Sequence, residues 1–357
     1  MRGLLLYAST FPKTTLSYND DWKDAFSNYA SFINWDQYNL ASKTKSWLMI
    51  LPKIKRYQII LLLHSTNSNG EHVHPILRKA LLYRQSKLIV FIGNEYNKLA
   101  QEKLKLINDI DADVVASQLP QDIASWMYED TKAQVISVPH ALNPKIFKPI
   151  TYNNDRRIDI GNRSFYYPMS LGDNNRNKLN EYFLKHYQFH LKMDISTDPS
   201  ERFNRKGWAS FLNSCKGTIS TEAGTSFLEK YGTTLLAIRK YRKRYPEATF
   251  NDIYNKFYAN YKNPVSGKLI SSRHFDAVGT KTCQIMIHGR FSDIFEPEKN
   301  YISINRDFSN IKDAIERFKD DDYRNKIIND TYDYIMDCHT HRHRVEDLLK
   351  KIDLFVE

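Results

Sequence analysis

Val138-Pro-His-Ala-Leu-Asn-Pro-Lys-Ile-Phe-Lys-Pro149 is the stretch that decides how this 357-residue chain is organised. Proline has no backbone N–H and fixes its own φ, so it does not sit inside a helix or a central strand. With its repeated prolines, the stretch predicts a rigid connector between two folded domains. We place the domains at residues 1–142 and 151–335, the linker at 143–150 and a C-terminal helix at 336–357.

Apolar runs of strand length alternate with helical stretches on both sides of this connector. In the first half we predict strands at Gly3–Tyr7, Tyr57–Leu63, Leu88–Gly93, Asp113–Ser117 and Gln134–Val138. In the second half we predict strands at Ile158–Gly161, Phe189–Ile195, Gly217–Glu222, Cys283–Ile287 and Tyr301–Ile304. The alternation is typical of βα units around a parallel sheet. The sequence therefore predicts an α/β fold with two doubly wound, Rossmann-like domains that face a cleft.

Helical patterns lie between these strands and at the C-terminal end. We predict helices over His74–Arg84, Asn97–Asn108, Asp122–Tyr128, Asn177–Lys185 and Trp208–Asn213, the third of them capped by Asp122. Three successive helices are predicted from Asn310 to Phe355, and we expect them to pack back toward the first domain. Residues 231–270 interrupt the alternation and are interpreted as an insertion.

Composition favours an ordinary globular protein, because 41% of the residues are hydrophobic and 26% are charged. The cysteines Cys215, Cys283 and Cys338 are far apart, which excludes a zinc module or a disulfide framework and favours a reducing compartment. The opening residues are typical of a first strand rather than a signal peptide. The longest apolar run, Ile59–Leu63, is too short to cross a bilayer. We therefore expect a cytoplasmic protein, at most peripheral at the inner face of the membrane.

The formal charge of +11 indicates an anionic partner. Three classes fit this charge: nucleic acid, an anionic membrane leaflet, and anionic substrates such as nucleotide sugars or acidic glycans. No nucleic-acid-binding motif accompanies it, so we expect no nucleic acid partner. The basic run Arg239–Tyr245 is either a solvated helix face or a contact for an anionic acceptor or lipid head groups.

Polar segments follow three strands of the predicted second domain, where doubly wound sheets bind their ligands. Gly161-Asn-Arg-Ser164 ends the first strand and offers Arg163, with Arg176 and Lys178 shortly after it. Ser220-Thr-Glu-Ala-Gly-Thr-Ser226 puts the carboxylate of Glu222 at a strand tip, and its Gly224 and Thr225 allow close backbone approach to a ligand. The same segment also fits a capped helix start.

The third segment is Ser271-Ser-Arg-His-Phe-Asp-Ala-Val-Gly279, just before a predicted strand. On a helix, Ser272 and Asp276 lie four residues apart on one face, and Arg273 and Asp276 lie three apart. Both spacings direct polar groups at one ligand, although Arg273 and Asp276 also fit an ordinary surface ion pair. A nucleoside diphosphate needs cations for its phosphates and a carboxylate for its ribose, and the three segments supply both.

The second half resembles the C-terminal half of GT-B glycosyltransferases, closest to the branch similar to spore-maturation-type and surface-polysaccharide transferases. The resemblance lies in the Arg273-His-Phe-Asp-Ala277 segment, the strand Cys283–Ile287, Phe295-Glu-Pro297, and Tyr301 to Asn310. The connector at 143–149 also looks like that of the family. The resemblance implies a metal-independent glycosyltransferase without a cofactor, whose substrate is a nucleotide-activated sugar. The acceptor would be a glycan or a lipid-linked molecule in cell-surface polysaccharide synthesis.

Carried over to this sequence, the resemblance assigns the candidate site residues. Asp276 stands where the family has the glutamate that binds the donor ribose, and Glu222 looks like the earlier acidic residue near the transferred sugar. The candidate donor-binding residues are Arg163, Lys178, Gly224, Thr225, Ser272, Arg273, His274, Asp276 and Asn310. The candidate catalytic residues are Glu222 and His140.

An attacking hydroxyl group needs a general base, and several side chains fit by position. His140 lies in the connector beside the cleft, His64 follows a predicted strand, and Asp20 and Asp21 lie after the first strand. The histidine-rich segment His339–Arg344 is interpreted as structural, because its arginines oppose cation binding. Two alternatives stay open at this point: another nucleotide-sugar enzyme on the same fold, such as an epimerase or phosphorylase, and a non-enzymatic polyanion-binding protein.

Overall fold

A computed structural model describes residues 3–7, 17–27, 32–36, 54–64, 75–96, 100–151, 155–185, 190–262 and 264–353. Some predicted element ends, at His74, Asn97, Phe189 and Phe355, lie outside these residues. The described strands form two separate parallel sheets, one on each side of the connector.

The first sheet has six parallel strands, in the order β2-β1-β3-β4-β5-β6. They are β1 (Gly3–Tyr7), β2 (Phe32–Asp36), β3 (Ile59–Leu62), β4 (Lys87–Ile92), β5 (Val114–Ser117) and β6 (Gln134–Ser137). The helices of this half are α1 (Ser17–Ser27), α2 (Pro75–Leu82), α3 (Ala100–Asp109) and α4 (Gln121–Met127). Strand β2 was not predicted from the sequence. Among the described strands it lies at the sheet edge beside β1, and it lacks the continuous apolar run of a central strand.

The second sheet has five parallel strands, in the order β11-β10-β9-β7-β8. They are β7 (Ile158–Arg163), β8 (Met193–Ser196), β9 (Cys215–Ser220), β10 (Cys283–Ile287) and β11 (Ile302–Ile304). Its helices are α5 (Asn175–Lys185), α6 (Arg205–Asn213), α7 (Thr233–Arg244), α8 (Phe250–Phe257), α9 (Ser272–Gly279), α10 (Ile311–Lys319), α11 (Asp321–Cys338) and α12 (His341–Lys351). The chain reverses its direction of winding between β7 and β9, which is the switch point where doubly wound sheets bind ligands.

Helices α7 and α8 form an excursion between β9 and α9, within the segment interpreted as an insertion. They contact each other and the 3₁₀ turn at Met169–Leu171, and Tyr258 donates a hydrogen bond to the carbonyl of Ser170 at 2.7 Å. Ile238, Ile253 and Tyr258 form a small separate core there. The excursion is thus a packed helical pair that lies against the loop after β7.

The C-terminal helix α12 returns to the first domain. Its Val345, Leu348 and Leu349 are buried in one cluster with Trp22 and Phe26 of α1. The connector and the turn before α12 run side by side, because the N–H of Leu142 donates to the carbonyl of His339 at 3.0 Å. The predicted α/β fold of two doubly wound domains, with C-terminal helices packing back, is confirmed. In the described part of the chain, no helix combines the length and the apolar character needed to span a bilayer.

The predicted cap of α4 is wrong. The N-cap position belongs to Pro120, and no side chain caps this helix. The carboxylate of Asp122 instead binds the guanidinium of Arg290 in the second domain, at 3.0 Å. Asp122 lies in the first turn of α4, and from there its side chain contacts Arg290 of the other domain.

Candidate functional site

A cleft of about 520 Å³ lies between the two domains. The first domain and connector contribute Tyr18, Asn94, Tyr96, Gln118 and His140 to its walls. The second domain contributes the loop after β7, the loop after β8, and the starts of α6, α7 and α9. Its lining includes the predicted residues His140, Arg163, Ser272, Arg273 and Asp276.

Arginines dominate the charge of this cleft. Arg176 comes from α5, Arg202 from the loop after β8, and Arg273 from the first turn of α9. Burial and the neighbouring charge of Arg176 lower the pKa of Arg202 to about 10. Burial and the charges of Arg176 and Arg202 lower the pKa of Arg273 to about 9. Three guanidinium groups therefore repel one another around a single space, and an anion placed there relieves that repulsion.

No carboxylate among the described residues forms a salt bridge with Arg176 or Arg273. Aromatic rings hold part of the cluster instead. The loop Phe165-Tyr-Tyr-Pro168 follows β7, and the Arg176 guanidinium lies 3.8 Å from the centre of the Tyr167 ring. The Arg202 guanidinium lies 3.8 Å from the centre of the Phe165 ring. Such contacts orient a guanidinium at the edge of the cleft.

Arg163 lines the cleft but is already paired. It forms a salt bridge of 2.7 Å with Asp194 and donates to the carbonyl of the same residue at 2.9 Å. Its guanidinium also lies 4.6 Å from the centre of the Phe211 ring. This arginine therefore anchors the end of β7 to β8.

Asp276 is the acidic residue among the described residues that line the cleft, and it is almost fully buried. It accepts a hydrogen bond from Trp208 Nε1 at 3.1 Å. Burial and the nearby carboxyl of Asp21 raise the pKa of Asp276 well above its usual value, against the opposing effects of Trp208 and Arg273. The raised pKa favours the protonated form of this carboxyl, which is able to donate a hydrogen bond.

Asp21 reaches the same region from α1 of the first domain. Burial raises the pKa of Asp21 to about 6, although Arg205 and Asn143 both oppose the increase. Asn143 Nδ2 donates to Asp21 Oδ1 at 2.8 Å, and Arg205 bridges Asp21 and Asp24. Asp21 therefore ties the two domains together beside the cleft, whereas its neighbour Asp20 is exposed.

His140 lines the cleft and is buried. Burial and the charge of Arg344 lower the pKa of His140 to about 3, so its imidazole is neutral at neutral pH. The Tyr18 ring lies 5.0 Å from the imidazole, edge to face. No described residue bonds to its buried Nδ1. His64 stacks behind it at 6.4 Å, away from the cleft.

Glu222 lies outside the cleft lining. Its Oε1 accepts the backbone N–H of Phe291 at 2.8 Å, and burial is the main cause that raises its pKa. The bonded turn is unusual, because Phe291, Ser292 and Asp293 have φ of 46°, 54° and 59° in the left-handed region. Such backbone persists only where surrounding contacts hold it in place. The observed role of this carboxylate is therefore to hold the turn after β10.

His274 also faces inward. Its Nδ1 accepts the backbone N–H of Ser271 at 3.0 Å, which leaves Nε2 to donate to the Ser220 hydroxyl at 2.8 Å. Burial and nearby arginines lower its pKa, which keeps the ring neutral. His274 thus joins the end of β9 to the start of α9, and this joint presents Ser272, Arg273 and Asp276 to the cleft.

Four other predicted donor-binding residues lie outside the lining. Lys178 is exposed on α5. Gly224 has φ of 85°, and a side chain there would collide with the carbonyl of Gly267. The hydroxyl of Thr225 donates to the carbonyl of Leu171 at 2.7 Å. Asn310 bonds the backbone of Asn305 and Ser303, at the turn before α10.

The sequence did not predict Arg202 or the aromatic residues of the cleft, and Lys178 was predicted to bind the diphosphate in place of Arg176. Arg239 was predicted within the basic run Arg239–Tyr245, as either a solvated helix face or a contact for an anionic acceptor or lipid head groups. One available signal was the aromatic run Phe165-Tyr-Tyr167, directly after a predicted strand. Arg202 likewise follows β8 by a few residues. No group of three or more His, Cys, Asp or Glu side chains among the described residues is arranged to hold a metal ion.

Comparisons with known proteins agree with this fold. Residues 218–350, from β9 to α12, match a family model described as glycosyl transferase-like. No curated protein matches the chain in sequence. A sucrose-phosphate synthase from Thermosynechococcus elongatus has the same fold, with 10% identity over 99% of both chains and a TM-score of 0.54.

Two further solved structures match over nearly the whole chain. HepE of Anabaena, in complex with UDP-glucose, is 9% identical over 99% of this chain and 100% of its own, with a TM-score of 0.56. The β-glucosyltransferase of T4 phage is 12% identical over 98% of this chain and 99% of its own, with a TM-score of 0.53. The chain therefore has the two-domain fold of the GT-B glycosyltransferases, and residues 218–350 carry the glycosyl transferase-like match.

Proposed function

We propose that the protein transfers a sugar from a nucleoside diphosphate donor to a hydroxyl group of its acceptor, and that Arg176, Arg202 and Arg273 bind the donor diphosphate. The observation that carries this proposal is the cluster of three mutually repelling arginines in the cleft. Charge-assisted hydrogen bonds to phosphate oxygens are strong in such a buried space. The UDP-glucose in the complex of the similar Anabaena protein supports a ligand of this class.

The proposed reaction is a displacement at the anomeric carbon of the donor sugar. The acceptor oxygen forms a bond to that carbon while the bond from the carbon to the phosphate oxygen breaks. The nucleoside diphosphate leaves with the electron pair, and the arginine cluster stabilises its charge. His140 is the candidate acceptor for the proton of the attacking hydroxyl because it lines the cleft with an unprotonated imidazole, although burial makes that imidazole a weak base. Asp276 is the candidate partner for a donor hydroxyl, in the place that the family resemblance gives it.

Three finer expectations belong to this proposal. The acceptor is a glycan or lipid-linked molecule of cell-surface polysaccharide synthesis, as in the surface-polysaccharide branch that the sequence resembles. The protein works in the cytoplasm without a metal or cofactor. The exposed residues of the run Arg239–Tyr245 bring it to the anionic inner face of the membrane, an attraction of about 1 kcal/mol for each basic residue near the surface.

A matched pair of variants on α5 tests donor binding. Arg176 lines the cleft, whereas Lys178, two residues away, is exposed outside it. Thermal shift with UDP, GDP, CMP and dTDP sugars first finds the donor, since a ligand at a hundred times its dissociation constant adds about 2.7 kcal/mol of stability. With that donor, Arg176→Gln should weaken binding about tenfold to a hundredfold, and Lys178→Gln should not change it. Equal losses in both variants, or no stabilisation by any donor, would contradict the proposal.

A further inference from the structure

A second cationic position in the cleft lies apart from the arginine cluster. Arg239 lines the cleft from α7, one turn beyond Leu235, and it is exposed. It is not among the charges that lower the pKa of Arg202 or Arg273. No described residue forms a salt bridge or a hydrogen bond with it. Arg239 is therefore a cation in the cleft wall without a salt-bridge partner among the described residues.

The donor alone does not balance the charge of the cleft. A sugar nucleotide carries one negative charge on each of its two phosphates, and three arginines already surround the space proposed for them. Asp276 adds little negative charge, because burial raises its pKa well above the usual value. Arg239 is solvated and stays charged without a partner, so it is an open position for a second anionic group beside the donor.

Apolar side chains share the cleft wall with Arg239. Leu171, Leu235 and Leu269 line the cleft together with it. Outside the cleft, Leu236 and Tyr231 are each 52% exposed, and Leu236 shares a helix face with Lys240 and Lys243. This part of α7 thus places basic groups next to exposed apolar surface, an arrangement that suits a phosphate attached to a hydrocarbon chain.

We infer that α7 binds the phosphate of a lipid-linked acceptor through Arg239, with the lipid chain against Leu235 and Leu236. This inference rests on the proposed function and selects the lipid-linked acceptor from the two classes left open there. Donor and acceptor phosphates occupy separate cation sites, the arginine cluster and Arg239. The acceptor hydroxyl then approaches the donor sugar from the side of α7.

Calorimetric titration with octyl phosphate, glucose 6-phosphate and inorganic phosphate tests the inference, each with and without saturating UDP. Octyl phosphate should bind in the presence of UDP, and more tightly than the other two. Arg239→Gln should weaken it about fivefold to tenfold, because one charge-assisted bond at a solvent-accessible site is lost. Leu236→Ser, a change at an exposed position, should weaken the binding of octyl phosphate but not the binding of inorganic phosphate. Arg157→Gln, at an exposed arginine before β7, is the matched control.

Each other outcome overturns the inference in a distinct way. If glucose 6-phosphate bound as tightly as octyl phosphate, the acceptor phosphate would belong to a glycan rather than to a lipid. If the wild type bound UDP-glucuronate more tightly than UDP-glucose and Arg239→Gln removed this preference, Arg239 would bind a charged donor sugar instead of the acceptor. Octyl phosphate binding that neither variant weakens would exclude α7. If Arg239→Gln still binds UDP, the proposed donor site is intact, and any failure concerns only the acceptor inference.

Discussion

At the scale of single residues, burial determines the charge of the cleft. Arg273, Asp276 and His140 all lie in it, and burial is the largest cause of each shifted pKa. The result is a site of weakened cations, a carboxyl whose protonated form is favoured and a neutral imidazole. In each case burial favours the uncharged form of the group.

The raised pKa of Asp276 gives a testable dependence of stability on pH. The folded pKa lies above the unfolded value of about 4, so the native state holds a proton that the unfolded chain releases. Stability is therefore lost as pH rises from the unfolded pKa toward the folded one. Asp276→Asn removes this loss, and its melting temperature relative to the wild type should increase between pH 4 and pH 8.

Differential scanning fluorimetry over that pH range measures the difference. Asp20→Asn, the same change at an exposed carboxylate of α1, is the control. A difference for Asp276→Asn that stays constant or falls with rising pH would show that the arginines stabilise an ionised carboxylate instead.

At the scale of elements, the joints between strands and helices position the cleft residues. His274 connects the end of β9 to the start of α9 through Ser220 and Ser271. Glu222 connects the end of β9 to the turn after β10 through Phe291. Both side chains were predicted to touch the donor, and in the structure both hold backbone that lies behind the cleft.

A comparison of two variants separates structure from catalysis at Glu222. Glu222→Gln keeps an oxygen that accepts the N–H of Phe291, so both stability and activity should stay close to those of the wild type. Glu222→Ala leaves that buried N–H without a partner and should cost about 1–3 kcal/mol of unfolding free energy. Urea denaturation measures the cost. Loss of transferase activity in a stable Glu222→Gln protein would instead support the catalytic role that the sequence suggested.

At the scale of the whole molecule, the chain passes between its domains twice, and the two crossings pair at Leu142 and Thr340. Helix α12 completes the core of the first domain, although the last strand of the first sheet ends at Ser137. Polar contacts also join the domains. Arg205 forms a salt bridge with Asp21, and Arg290 forms one with Asp122. The stability of the first domain therefore depends on the C-terminal end of the chain.

Leu348→Ala tests this dependence. Leu348 is 1% exposed in the cluster that contains Trp22, and its truncation should cost about 2–5 kcal/mol. Amide hydrogen exchange should then show reduced protection in β4 and β5, far away in sequence. Lys350→Ala, at an exposed position of the same helix, should leave exchange unchanged. Reduced protection confined to α12 would indicate that the first domain is stable without it.

The sequence by itself determined the two parallel sheets, the connector and the C-terminal helices, because strand and helix periodicity and proline placement are local properties of the chain. It also located the strand ends where the cleft forms. Only the tertiary structure decided which side chains face that cleft. Arg176 and Lys178 are both cationic and two residues apart, yet the packing of α5 turns one inward and the other to solvent. The charge states were decided at the same level, since the pKa of Asp276 follows from burial between two domains.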